Sequence, residues 1–210
     1  LVGSDGIFSK VRECVVSNAD VLSYLGDLVW RGVVPDHTFC QEGDFIVYMR
    51  GRGIYANFFD LGQGRTHWGF FLEKAQDSTE KGKPRPQETA IPLYELEKLP
   101  EDARSIIQST PLDHIVTNFS YDIDHLPQMY KGRVVLVGDA AHAKSPSQAK
   151  GMTSGFEDVL TLAKHLNQSS TVDLALAGFQ AERMPIVHEY QRKSREVSRN
   201  IGRRRKKAVA

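Results

Sequence analysis

Apolar positions change their period twice along the chain, and the changes divide it into three textures. Leu1-Val2-Gly3 reads as the end of a buried strand, with Gly3-Ser4-Asp5-Gly6 turning out of it. Ile7 to Val16 is open between a short helix and a loop. From about Asp27 the texture becomes strand-like. The runs 45–49, 54–59 and 67–72 are dense in aromatic and β-branched residues. Arg50-Gly51-Arg52-Gly53 and Leu61-Gly62-Gln63-Gly64 separate them, which predicts an antiparallel meander. Residues 74–90 are polar and rich in Lys, Gly and Pro, the composition of an exposed loop. Helices are predicted over 93–99 and 101–109, the second after the stop at Pro100. Past Pro127, Val134–Val137 is continuously apolar, as a strand buried on both faces must be. Beyond Pro146, residues Phe156, Val159, Leu160, Ala163 and Leu166 fall at helical spacing and predict an amphipathic helix over 151–166. Asp173 is placed to cap a further helix to Arg183, and Pro185 to start or kink a last one to about Asn200.

This order predicts an α/β (α+β) fold in which an antiparallel sheet domain is inserted between two pieces of an α/β layer. The expected divisions are 1–26, 27–126, 127–172 and 173–210.

Charge narrows the function classes. The 27 basic and 26 acidic side chains nearly cancel, so no global field draws the chain to nucleic acid. Arg203-Arg204-Arg205-Lys206-Lys207 is the local exception, read either as a solvated terminus or as a patch for peripheral contact with an acidic surface or anionic lipid. No apolar run approaches the ~18 residues of a membrane span, and no signal peptide is visible. Cys14 and Cys40 have neither metal nor redox spacing. Both are expected to be reduced and at least partly buried, as in cytosol or stroma, so the chain is read as intracellular, soluble or peripheral. The histidines form no metal spacing, so no metal site is expected. Asp122 and Asp124 read as loop residues, and Trp30 and Trp68 as sheet packing. The chain opens at Leu1 in mid-pattern, the mark of a segment of something longer or of a processed product.

The chemistry concentrates between Val134 and Asp158. A buried strand ends in Gly138-Asp139, and an acidic side chain at the carboxyl end of a strand is where α/β sheets bind ligands. Gly138 lets a ligand approach the backbone, and Asp139 can accept hydrogen bonds from vicinal hydroxyls of a ribose or ribityl chain. Pro146 stiffens the loop. Gly151 then opens a helix whose free N–H groups suit an electron-rich acceptor, with Met152 and Thr153 in its first turn.

The run Val134 to Ala143, followed by Pro146, resembles the Gly-Asp motif of the group A FAD-dependent aromatic hydroxylases. The resemblance continues through Gly151-Met152, Gly155-Phe156-Glu157-Asp158 and Leu162-Ala163, and returns at Glu182-Arg183-Met184-Pro185. Independently, Asp5-Gly6, Ser9 and Arg12 resemble the family's Asp-Gly-x-x-Ser-x-x-Arg motif. The resemblance implies that Asp139 binds the ribityl chain of FAD. It also implies that Asp5, Ser9 and Arg12 touch the pyrophosphate region and take part in NAD(P)H binding. Residues 1–26 and 127–172 become parts of the FAD-binding domain, 27–126 the substrate domain, and 173–210 the C-terminal helices and tail. The implied activity is hydroxylation or epoxidation of a small aromatic or unsaturated apolar substrate through a flavin C4a-hydroperoxide, with the chain as a C-terminal portion of the enzyme. No catalytic base is implied, since the flavin carries the chemistry.

The chain departs from the family in two places. The family's loop Pro-x-x-Gly-Gln-Gly-x-Asn is Pro146-Ser147-Gln148-Ala149-Lys150-Gly151-Met152-Thr153 here. Ala149 costs little at negative φ and more at positive φ, while Lys150 brings a cation toward the expected isoalloxazine. Ser154-x-x-Glu157 would serve as a capping box and start the helix one turn later. The family's strand–Gly-x-Gly-x-x-Gly–helix unit has no counterpart, because Gly51-Arg52-Gly53 and Gly62-Gln63-Gly64 lie in the meander and open no helix. Two alternatives follow: a flavin-free scaffold or binding subunit of a larger assembly, or a split enzyme whose N-terminal FAD-binding unit is another chain. The split enzyme predicts a large apolar surface beside Val134–Val137 and Leu1–Gly3.

Overall fold

The computed structural model describes residues 1–16, 21–35, 38–51, 53–74 and 90–198. Arg52, His37, most of the polar stretch 74–90 and the basic run Arg203–Lys207 lie outside the described residues. The fold is mixed α/β, with two compact units. One is formed by 1–25 and 121–198, the other by 26–120.

In the first unit, β1 (Val2–Gly3) pairs in parallel with β8 (Val134–Leu136), and β8 pairs antiparallel with β7 (Tyr130–Lys131). Gly132, at φ 56°, makes the tight turn between β7 and β8. Val135, Leu136 and Val137 are buried, as their unbroken apolar run requires. The helices are α1 (Arg12–Val15), α4 (Asp139–His142), α5 (Gly151–Gln168) and α6 (Val172–Ser198). The sequence predicts that Pro185 starts or kinks a helix; α6 runs through it as one helix rather than starting anew. Ala175, Phe179, Arg183, Val187, Gln191 and Ser194 form one continuous buried stripe, and this packing outweighs the backbone bond that a proline removes. Asp122 is no loop residue: it lies in β6 (Val116–Ile123), fully buried, where Arg195 of α6 grips it with two hydrogen bonds of 2.7 Å.

Helix α5 is where its spacing predicts, but its buried face is not the apolar one. Ser154, Asp158 and Leu162 point inward, whereas Phe156, Val159 and Leu160 are more than half exposed. Ion pairing, not hydrophobicity, decides the inner face.

The second unit is built on a sheet of order β3-β4-β5-β2-β6. The three expected runs are its antiparallel strands β3 (Phe45–Arg50), β4 (Gly53–Asp60) and β5 (Thr66–Glu73). Strand β2 (Leu22–Val34) pairs antiparallel with β5 from Asp27↔Glu73 to Val34↔Thr66. Trp68, Phe58 and Phe70 are fully buried on one face, where Gly32 leaves room for the Trp68 indole; a Cβ there would come within 2.7 Å of it. The Trp68 Nε1–H donates to Thr110 Oγ1 at 2.8 Å, and the Tyr55 hydroxyl donates to Glu95 in α2 (Leu93–Leu96). With α3 (Glu101–Gln108) burying Ala103, Ile106 and Ile107, these bonds tie the short helices to the sheet. Both tryptophans are therefore core. Cys40 is buried, but Cys14 is exposed, contrary to expectation, because the short α1 turns it outward.

Candidate functional site

Strand β8 delivers the chain to Gly138, whose φ of 60° and ψ of −143° only glycine adopts without strain. The turn places Asp139 at the first position of α4. From beneath, the Gly138 N–H donates to Asp158 Oδ2 at 2.8 Å. Helix α5 starts close by: a Cβ built on Gly155 would lie 3.8 Å from the Gly138 Cα. Between these elements lies a cleft of about 500 Å³ lined by Ser4, Gly6, Val137, Gly138, Asp139, Gly151, Met152, Gly155, Phe156 and Val159. A Cβ at Gly6 or Gly151 would meet nothing within 4 Å, so both face open space. The Asp139 side chain is exposed, and among the described residues no hydrogen bond reaches its carboxylate. The first N–H groups of α5 lack intrahelical acceptors, and no side chain caps them. The cleft thus combines a free anionic acceptor, a free positive helix end and an apolar wall of Val137, Met152, Phe156 and Val159. These residues fit a flavin: the acid suits a hydroxylated chain, and the helix end suits the electron-rich edge of a ring.

Of the residues singled out by sequence, Gly6, Gly138, Asp139, Gly151 and Met152 line this cleft, and Asp5, Ser9, Arg12, Pro146 and Thr153 do not. Asp5 instead organises its own loop. Its carboxylate accepts from Ser9 Oγ at 2.5 Å and from the N–H groups of Lys10 and Val11. The Ser9 bond is the main reason its pKa falls to about 2, with the backbone donors adding to it. Ser9 Oγ in turn accepts the Arg12 N–H at 2.9 Å. The buried Arg12 guanidinium donates to the carbonyls of Ile7 at 2.8 Å and Ala140 at 3.1 Å. Arg12 therefore joins the first motif to the second through backbone. Pro146 opens a 3-10 turn (Pro146–Gln148), and Ala149 ends it at φ 53°, the left-handed conformation that disfavours a side chain. Lys150 is exposed and its Nζ lies 5.7 Å from the Tyr190 ring centroid, so it is not part of the cleft lining. The capping box does not form. Helix α5 starts at Gly151, and Ser154 sits inside its first turn, bonded back to the carbonyls of Lys150 and Gly151.

Sequence reasoning missed the ionic cluster beneath the cleft. Asp158, fully buried, accepts from His142 Nε2 at 2.5 Å and from Arg183 Nε at 2.8 Å, besides Gly138. Burial pushes its carboxyl up, but these donors outweigh it and hold the pKa below the ordinary value. His142 is fully buried in α4, and its Nδ1 lies 2.9 Å from Lys144 Nζ. Lys144 also donates to Ser154 Oγ at 2.8 Å. The only sequence signal was the polar spacing Ser154, Asp158 at i, i+4, with Arg183 far along the chain.

Burial lowers the Lys144 pKa to about 8, against the opposing pull of Asp139 and Asp158. A depressed lysine binds fewer protons folded than unfolded, so stability should rise as pH increases from about 8 toward the unfolded value of about 10.4. Denaturant melts across this window should show that rise, and a Lys144→Met variant should lose it.

Comparison with known proteins places this geometry. Aurachin C monooxygenase/isomerase of Stigmatella aurantiaca is 29% identical over 190 residues, covering 90% of this chain and 48% of the relative. 3-Amino-4-hydroxybenzoate 2-monooxygenase of Streptomyces cremeus is 29% identical over 203 residues, covering 94% and 49%. Among solved structures, HpxO of Klebsiella pneumoniae, in complex with FAD and uric acid, shares the fold with a TM-score of 0.80 at 21% identity, over 94% of this chain and 50% of that one. The chain spans about half the length of the curated relatives it matches. A family model described as FAD binding domain matches residues 1–194, and this chain belongs to that family, among the group A FAD-dependent monooxygenases.

Proposed function

We propose that this chain is the part of an FAD-dependent monooxygenase that holds the flavin's ribityl chain and ring, acting on a small aromatic or unsaturated apolar substrate with NAD(P)H as reductant. The observation that carries the proposal is the pairing of an uncommitted Asp139 carboxylate with the uncapped N-terminus of α5 across one cleft. Bound FAD would supply the oxygen-activating chemistry. The chain's own tasks are then positional. Asp139 accepts hydrogen bonds from the ribityl hydroxyls. The N–H groups of Gly151 and Met152 favour negative charge on the ring's pyrimidine edge. Met152, Phe156 and Val159 exclude water.

The split-enzyme alternative would place an apolar contact face in the first unit, and exposed apolar residues there are available for one. Leu1 and, in β1 at the edge of its sheet, Val2 are exposed, as are Phe156 and Leu160 on α5. We assign this face to contact with a dinucleotide-binding unit, on the same polypeptide or another. A flavin-free scaffold is the weaker reading, because the cleft lined by Gly138, Asp139 and Gly151 is open and, among the described residues, no hydrogen bond ties up the Asp139 carboxylate. Among the described residues no helix is long and apolar enough to cross a membrane.

The test is to purify the native full-length protein and record its visible spectrum. Stoichiometric FAD and substrate-dependent NAD(P)H oxidation are expected. A colourless protein that takes up no added FAD overturns the proposal.

A further inference from the structure

Lys144 lies outside the cleft lining and two residues past the end of α4, yet it is only 8% exposed. Its Nζ donates to Ser154 Oγ at 2.8 Å and lies 2.9 Å from His142 Nδ1. An ammonium has no lone pair, so Nδ1 is the acceptor, and the ring hydrogen sits on Nε2, donated to Asp158. Neither partner of the ammonium is a carboxylate, and among the described residues it forms no ion pair. Burying a cation on an imidazole and a hydroxyl costs stability that a neutral side chain would not.

Its position supplies a reason for the charge. Five hydrogen bonds run without a gap from one wall of the cleft to the other. Gly138 N–H and His142 Nε2 donate to Asp158 at 2.8 and 2.5 Å, Lys144 donates to His142 and to Ser154, and Ser154 Oγ donates to the Gly151 carbonyl at 3.0 Å. Lys144 is the link that carries this chain into the first turn of α5, where Gly151 and Met152 line the cleft. The charges facing it come from three helices. Asp139 of α4 and Asp158 and Glu157 of α5 attract it, and Arg183 of α6 repels it. Asp158 and Glu157 are both engaged by Arg183, at 2.8 and 2.9 Å. That leaves Asp139, the acid of the cleft itself, as the counter-charge of the ammonium.

We propose that Lys144 is a positioning residue for the flavin, a role that rests on the flavin reading of the cleft: its ammonium braces the Gly138 turn against the first turn of α5 and sets a buried positive charge beneath the ligand. A neutral amine keeps two donors for His142 and Ser154, but its hydrogen bonds are weaker than charge-assisted ones and it adds no field. The brace therefore slackens when Lys144 loses its proton.

FAD is the probe, titrated into full-length apoprotein from about pH 7 to about pH 10, across the range in which a buried lysine titrates. Burial, against the pull of Asp139 and Asp158, brings the Lys144 pKa to about 8, so the parent's Kd should be flat below that pH and rise above it. Lys144→Met should raise the Kd about tenfold at neutral pH and abolish the rise. Ser154→Ala cuts the link to α5 but leaves the ammonium, so it should weaken FAD severalfold and keep the rise. Without FAD, the Gly138 and Gly151 amide resonances, one on each wall, should titrate together in the parent with a midpoint of about 8, and neither should do so in Lys144→Met. An unchanged Kd in either variant, or a parent Kd without the rise, overturns the proposal and leaves the flavin cleft standing. A parent that binds no FAD at any pH overturns the flavin reading and this role with it. If Lys144→Met fails to fold, the parent decides: amides that do not titrate overturn the proposal equally.

Discussion

Asp158→Ala should destabilise the first unit by about 3–5 kcal/mol, the usual cost of removing one partner from a buried charged cluster. The carboxylate is fully buried and serves three donors from separate elements: the Gly138 turn, His142 in α4 and Arg183 in α6. Removing it leaves the buried Arg183 charge with only the half-buried Glu157, 2.9 Å away, to balance it, and leaves the Gly138 N–H without its acceptor at a turn already in glycine-only geometry. Asp158→Asn keeps an acceptor for Gly138 but loses the charge facing Arg183, so it should fall between alanine and the parent. The sign with pH also follows. A carboxyl held below its ordinary pKa stabilises the fold above its unfolded pKa of about 3.9, and that contribution disappears as pH falls through the lower folded value. Denaturant unfolding of the three proteins at neutral and acidic pH measures both effects. A loss under about 1 kcal/mol in Asp158→Ala would mean that water already screens the cluster.

This cluster also marks where the sequence stops being legible. Strands β3, β4 and β5 could be read directly, because each is a short run of aromatic and β-branched residues closed by glycine turns. Strand β2 could not. Residues Leu28, Val29 and Trp30 are buried in succession, so no alternation shows, and Gly26 and Gly32 interrupt the run. Strand β6 is masked by its Thr, Asn and Ser. In α5 the helical period is plain, but it draws the eye to Phe156, Val159 and Leu160, because hydrophobicity cannot announce a face buried through Ser154 and Asp158. Pro185 gave a true local signal that packing of α6 overrode.

The site divides along the same line. Gly138, Asp139 and Gly151 are legible because each answers a local need: a strained turn, an acid at a strand end, a helix start without a side chain. Asp5, Ser9 and Arg12 are legible as a set through their spacing. What the spacing does not reveal is that they bond to one another and to the carbonyls of Ile7 and Ala140, holding the two motifs together rather than lining the cleft. His142, Lys144, Asp158 and Arg183 come from three helices and the loop after α4. Only the fold brings them into one cluster.

The second large effect concerns Asp139 itself. Charge-assisted hydrogen bonds contribute about 1.5–3 kcal/mol each, so removing its carboxylate should weaken FAD by roughly ten- to a hundredfold. Since no described residue hydrogen-bonds to that carboxylate, the same substitution should leave the stability of the FAD-free protein nearly unchanged. Asp139→Asn retains an acceptor and should lose less. This separation of affinity from stability distinguishes a ligand contact from a helix cap, whose loss would lower Tm without FAD present. The decisive measurement is therefore FAD titration of full-length apoprotein, parent against Asp139→Ala, with Tm recorded for both in the absence of FAD. A Kd raised at least tenfold with unchanged Tm is the predicted result; an unchanged Kd would contradict the assignment of this cleft to the flavin.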